Sequence, residues 1–169
     1  MSSEGVGQAG SLRGTGSPAL LQPRVILAVG LPGSGKSTWL ANLGAHPISS
    51  DAIRLQLADD ETDQTIHARV FATMRYLLKQ RIDLQRPVTY IDATNLTRRD
   101  RRPFMTLARR HGCEIEALFF DTPLDICKTR NSSRARLVPN RALEQMAANL
   151  VPPSVEEGFN RIEVVRYLP

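Results

Sequence analysis

Cysteine, histidine, lysine and aromatic residues are all scarce in this 169-residue chain, and each scarcity removes a class of function. The two cysteines, Cys113 and Cys127, have no metal-ligand spacing and no nearby His or Cys cluster. That excludes a sequence-local zinc centre and leaves two reduced, structural thiols. The three histidines, His46, His67 and His111, lie far apart beside no nucleophile elbow, so a hydrolase built on a histidine base is not indicated. Aromatics make up 5% and form no recognisable stacking platform, so no base preference can be read. No Asn-Lys-x-Asp segment occurs, which disfavours a guanine-specific switch. There is no apolar run of about 18 residues and no basic start followed by roughly 7–15 apolar ones. The expectation is a soluble, cytoplasmic protein with no membrane partner.

Lysine is nearly missing. Lys36, Lys79 and Lys128 are the only three, which leaves 19 of the 22 basic residues as arginine in a chain of net charge +5. The arginines cluster at Arg98-Arg99-Asp100-Arg101-Arg102, at Arg109-Arg110, and at Arg130, Arg134, Arg136 and Arg141. Two readings stand: the planar guanidinium fork suits phosphate and favours a polyanionic partner, or arginine serves on solvated helix faces where lysine would do. With 41% hydrophobic and 23% charged residues the composition is that of one globular domain with a sizeable core. Residues 1–22, rich in Gly and Ser, read as a flexible tail, which leaves 23–169 as the domain.

The most specific feature is Gly30-Leu31-Pro32-Gly33-Ser34-Gly35-Lys36-Ser37-Thr38, a complete phosphate-binding loop. Its glycines permit backbone angles that turn successive N–H groups inward on the α- and β-phosphates. Lys36 reaches the β- and γ-oxygens, Ser37 offers a hydroxyl to Mg²⁺, and the helix that begins here aims its positive end at the same anion. Arg24 to Val29 precedes it as an unalternating apolar run, the pattern of a strand buried on both faces. The helix after the loop spans Lys36 to Leu43 and closes at Gly44, with Trp39 and Leu40 packed on the sheet.

Further elements alternate strand and helix, the pattern of a doubly wound α/β sheet. Strands are expected at 46–50, 88–91, 114–120 and 161–167. Helices are expected at 52–58, 64–85, 97–111, 123–130 and 139–150, with an acidic loop at 59–63. Pro103 fits the helix at 97–111 if Asp100, not Thr97, is the N-cap.

Three candidate groups lie beside the phosphate loop. Asp51 follows the second strand, where ligands of open α/β sheets bind. It can orient an acceptor hydroxyl and take its proton, with Arg54 one helical turn on to hold a phosphate. Equally, it can be an N-cap salt-bridged to Arg54. Asp92, ending the third strand, suits an outer-shell Mg²⁺ role or a plain turn. The polar stretch Arg130 to Arg136 reads as a mobile lid whose arginines neutralise phosphate charge, or as a solvated basic turn.

Taken together, the loop, Ser49-Ser50-Asp51 with Arg54, Asp59-Asp60-Glu61 with Asp63-Gln64, Ile91 to Asn95, Ala108-Arg109 before His111, and Arg130-Asn131 before Val138-Pro139 carry a resemblance. From about Val25 to Phe159 the chain resembles the bacterial polynucleotide 5′-kinase domain of end-healing enzymes, within the wider group of P-loop kinases. The resemblance implies a five-stranded parallel sheet with helices on both faces, Mg²⁺ with ATP as donor, and a 5′-hydroxyl DNA or RNA end as acceptor. It implies Asp51 as general base, Arg54, Gln64 and Asn95 facing the acceptor, and Arg130 with Arg134 or Arg136 in the lid. Relatives sharing this loop and lid act on sugars, nucleosides, antibiotics or nucleotide sugars, so a small-molecule kinase is the alternative. No Asp-x-Asp phosphatase motif or ligase segment occurs, so those activities are expected to be missing or to lie on separate partners. A non-catalytic nucleotide switch or nucleic-acid-binding module would bind nucleotide without acceptor-dependent turnover.

Overall fold

The computed structural model describes residues 22–133 and 137–166. The expected tail, apart from Gln22, lies outside the described residues, as do Arg134, Arg136 and Tyr167. Five strands, β1 (Arg24–Val29), β2 (Ile48–Ser49), β3 (Val88–Asp92), β4 (Glu114–Asp121) and β5 (Arg161–Arg166), form one sheet of order β2-β3-β1-β4-β5. Every pairing is parallel. Six α-helices are described: α1 (Lys36–Asn42), α2 (Ser50–Ala58), α3 (His67–Asp83), α4 (Arg98–Arg110), α5 (Leu124–Ser132) and α6 (Asn140–Asn149). This is the α/β P-loop kinase fold.

β1 is central because its side chains serve two layers. Val25, Leu27 and Val29 face one, packing with Val70, Met74 and Leu78 of α3 and Phe104 and Ala108 of α4. Ile26 and Ala28 face the other, with Leu40 and the edge of Trp39, whose ring meets Phe120 at a centroid distance of 5.9 Å. A strand buried twice over has no polar face, hence its unbroken apolar run. A smaller cluster of Leu31, Leu96 and Cys127 sits beneath the phosphate loop.

Local chemistry moves several expected boundaries. β2 is only two residues long because the Ser49 hydroxyl accepts from the Ala52 amide and starts α2 at Ser50. The α3 helix begins at His67, not 64, after two turns in which Asp60 and Asp63 carboxylates accept from the amides and hydroxyls of Thr62 and Thr65. The N-cap of α4 is Thr97 and not Asp100. The Thr97 hydroxyl accepts from the Asp100 amide at 3.2 Å, and the Asp100 carboxylate accepts from the Thr97 amide at 2.9 Å, a reciprocal arrangement that satisfies two donors at once. Pro103 therefore lies inside the helix, on its exposed face.

One member of the arginine cluster is a core residue. Arg101 is 0% exposed. Its Nε and Nη2 donate to the two Glu157 carboxylate oxygens at 2.9 and 2.6 Å, and its Nη1 donates to the carbonyls of Asn95, Leu96 and Val151. Arg98 approaches the same carboxylate, and Arg109 donates to the Glu157 carbonyl. Neither polyanion binding nor a solvated face describes Arg101.

Candidate active site

The phosphate loop grows from the buried end of β1, and two of its glycines are in conformations that side chains resist. Gly33 has φ 81° and Gly35, which caps α1, has φ 99°. A Cβ on Gly33 would also stand 2.6 Å from the Cys127 carbonyl oxygen, so α5 backbone presses against the loop from behind. Gly33→Ala is expected to cost about 1–2 kcal/mol for the left-handed angle alone, plus the displacement of α5. Calorimetric nucleotide titration and a thermal melt should both register it, as lost affinity and a lowered Tm.

Lys36 is buried and donates to the carbonyls of Gly30 at 2.9 Å and Leu31 at 2.8 Å. The Ser37 hydroxyl donates to Asp92 Oδ2 at 2.8 Å, joining α1 to the end of β3. These are hard oxygen donors, and Mg²⁺ is commonly held by one or two such groups plus phosphate oxygens and water. The pair fits that pattern. No trio of His, Cys, Asp or Glu among the described residues is arranged to hold a metal. Cys127 lies buried below the loop; burial pushes its thiol up, only partly offset by the Lys36 and Arg130 cations. It belongs to the packing.

The parallel register of Ser49 with Asp92 brings the start of α2 beside the loop. Asp51 sits in the first turn of α2, not at the end of the strand, and Ser49 is the N-cap. Asp51 Oδ1 accepts from Arg54 Nη1 at 3.1 Å. Arg54 is 3% exposed, and its Nε has no hydrogen-bond partner.

One cleft of ≈ 650 Å³ collects most of the expected site. Pro32, Gly33, Gly35, Lys36, Ser37 and Thr38 line it from the loop. Asp51, Arg54, Gln64 and Asp92 line it as well. Gly30 and Ser34 shape the loop from inside: the Gly30 amide donates to the Thr94 carbonyl, and Ser34 is buried. Arg130 reaches over the loop from α5, its Nη1 3.5 Å from where a Gly35 Cβ would stand.

Asn95 does not line this cleft. It is 1% exposed, with φ 48°, and its amide donates to the carbonyls of Ala28 at 2.7 Å and Ala93 at 3.4 Å. It ties the loop after β3 to β1, because Asn adopts the left-handed region at little cost.

Asn131 and Val138, seven residues apart at the two sides of the expected lid, are bonded to each other. The Asn131 side-chain amide donates to the Val138 carbonyl at 2.7 Å and accepts from the Val138 amide at 3.1 Å. Sequence reasoning missed the apolar wall of the cleft, formed by Phe71 of α3, Leu137 to Pro139, and Ala142 and Met146 of α6. The wall itself had no signal in the sequence.

The profile of a family described as the AAA domain matches residues 25–153. A chain of the Pnkp1/Rnl/Hen1 RNA repair complex is 21% identical with a TM-score of 0.66, over 76% of this chain and 44% of that one. A suspected kinase from Chloroflexus aurantiacus is 15% identical with a TM-score of 0.69, over 86% and 88%. A sugar kinase from Janibacter is 20% identical with a TM-score of 0.61, over 85% of each.

Proposed function

The chain belongs to the AAA domain family, and from that premise we propose that it transfers the γ-phosphoryl group of ATP to the 5′-hydroxyl end of a DNA or RNA strand. One observation carries the reading: a single cleft is lined both by the phosphate loop and by the Asp51–Arg54 pair. Lys36 exchanges its bonds to the Gly30 and Leu31 carbonyls for the β- and γ-phosphates. Ser37 and Asp92, joined by their hydrogen bond, would hold Mg²⁺, which would supply positive charge beside the phosphates. Asp51 orients the acceptor hydroxyl and receives its proton as the new P–O bond forms and ADP departs. In a loose transition state that transfer is late, so an ordinary carboxylate suffices. Arg130, beside Gly35, offers charge to the same phosphates, with Arg134 and Arg136 as further lid candidates.

The polynucleotide acceptor is favoured by Arg54, a buried guanidinium on the cleft wall with an unpartnered Nε, suited to an acceptor phosphate. The excess of arginine points the same way. A second reading, a small hydroxylated acceptor, is favoured by the sugar kinase that matches over 85% of its length. A cleft of ≈ 650 Å³ is also within the range usual for small ligands.

Phosphoryl transfer from Mg²⁺-ATP decides between them, tested on a 5′-hydroxyl oligonucleotide, its 5′-phosphorylated twin, nucleosides and sugars. Labelling of the 5′-hydroxyl strand alone is the expected outcome. Labelling of a sugar or nucleoside alone replaces it with the second reading, and nucleotide binding without any acceptor makes the protein a switch. Apparent strand affinity is also expected to fall with added salt more steeply than ATP affinity.

A further inference from the structure

Away from the cleft, α3 and α4 enclose a groove of ≈ 560 Å³ whose lining includes Arg75, Tyr76 and Lys79 from α3 and Arg102, Thr106 and Arg110 from α4. Arg75 and Lys79 on α3, and Arg102, Thr106 and Arg110 on α4, recur at four-residue steps, so each helix presents a stripe, with Tyr76 beside that of α3. Among the described residues Arg75, Arg102 and Arg110 make no ion pair or hydrogen bond; Lys79 pairs with Asp83 at 2.5 Å. Three unpaired guanidiniums converging on one groove, next to a tyrosine that is 62% exposed, form an anion track with an aromatic face. Three of the four other arginines of α4 contrast with this: Arg98, Arg101 and Arg109 turn to Glu157.

The groove and the cleft are both lined by residues of α3. His67, Phe71, Arg75 and Lys79 share one stripe; the first two line the cleft and the last two the groove. From His67 to Lys79 the stripe runs about 18 Å at the helical rise, the length of about five stacked nucleotides. The His67 and Phe71 rings are 4.5 Å apart, and Phe71 meets Phe104 of α4 at 6.1 Å.

We propose that the α3–α4 groove binds the phosphodiester backbone of the acceptor strand, 3′ of the end held in the cleft. The inference rests on the polynucleotide reading of that cleft. It makes strand length, not the terminal nucleotide alone, a determinant of affinity. Arg75, Arg102 and Arg110 contact phosphates, and Tyr76 offers its ring to a base.

The test compares the full chain with Arg75→Ala/Arg102→Ala/Arg110→Ala, using a 5′-hydroxyl dinucleotide and a strand of about 12 nucleotides. Strand binding by fluorescence anisotropy is read beside transfer, so the groove can be judged without turnover. For the long strand the triple variant is expected to bind at least tenfold more weakly at low salt, with KM raised and kcat retained. Its log–log salt slope should be shallower by about 2, from three lost contacts at about 0.7 each. Transfer to the dinucleotide should be unchanged. Equal affinity of parent and variant for the long strand, or an equal loss with the dinucleotide, overturns the proposal. If the parent binds the long strand without phosphorylating it, the polynucleotide kinase reading fails, while the groove still stands or falls on the variant's binding. If the parent binds no strand, both fall. Because the three arginines are on the surface and unpaired, the variant should fold; Tyr76→Ala provides an independent probe with a smaller loss.

Discussion

Replacing Asp51 by alanine is expected to lower phosphoryl transfer by about 10²- to 10⁴-fold, the usual worth of a positioned general base, with nucleotide affinity retained. The informative partner is Asp51→Asn. If the carboxylate merely fixes Arg54, to which it lies at 3.1 Å, asparagine keeps an acceptor oxygen at that place and much of the activity. If Asp51 takes the hydroxyl proton, asparagine fails nearly as badly as alanine, because an amide oxygen is too weak a base. Stopped single-turnover assays at saturating ATP separate the outcomes, since they report the chemical step and not product release. Asp51 is in the first turn of α2, beyond a cap that Ser49 supplies, so neither substitution removes the helix cap.

Arg101→Ala is expected to be the most damaging change to stability. It leaves the Glu157 carboxylate, 6% exposed, without its bidentate partner and withdraws the donor shared by three carbonyls. Breaking a buried pair from one side costs about 3–5 kcal/mol, a large share of the about 5–15 kcal/mol that holds a typical domain. Urea titration should show the midpoint fall with an unchanged slope. Arg101→Lys should recover little, because an ammonium cannot span both carboxylate oxygens and reach the carbonyls. Adding Glu157→Gln to Arg101→Ala should restore part of the loss by removing the stranded charge. Full stability in Arg101→Ala would mean that Glu157 finds water when its partner goes.

These two residues also mark where sequence reasoning works and where it stops. β1 and the phosphate loop were legible because burial on both faces and left-handed turns each demand a narrow set of residue types, and those types sit adjacent in the chain. The strand–helix alternation was legible for the same reason, although capping by Ser49 and Thr97 moved the boundaries of α2 and α4. Asp51, Arg54 and Asp92 were legible as candidates from their order beside the loop, Gln64 only through the family resemblance, and the cleft gathers all four. Asn95 was not, because an Asn after a strand reads alike whether it turns outward or, as here, bonds inward to Ala28. Arg101 was hidden by its neighbours: in an arginine run, only the position of Glu157, 56 residues away, distinguishes the buried one.

The Arg101–Glu157 pair has a consequence for the timing of synthesis. By the time α4 has emerged from a ribosome, β1 and β3 are available to it, but β4 and Glu157 are not. The guanidinium that must enter the core then has no carboxylate to accompany it. At about 5–20 residues per second, Glu157 follows Arg101 by roughly 3–11 s, an interval in which α4 cannot bury its charged position without cost. The burial of α4 therefore waits for residue 157, and the sheet is completed only afterwards, when β5 joins β4.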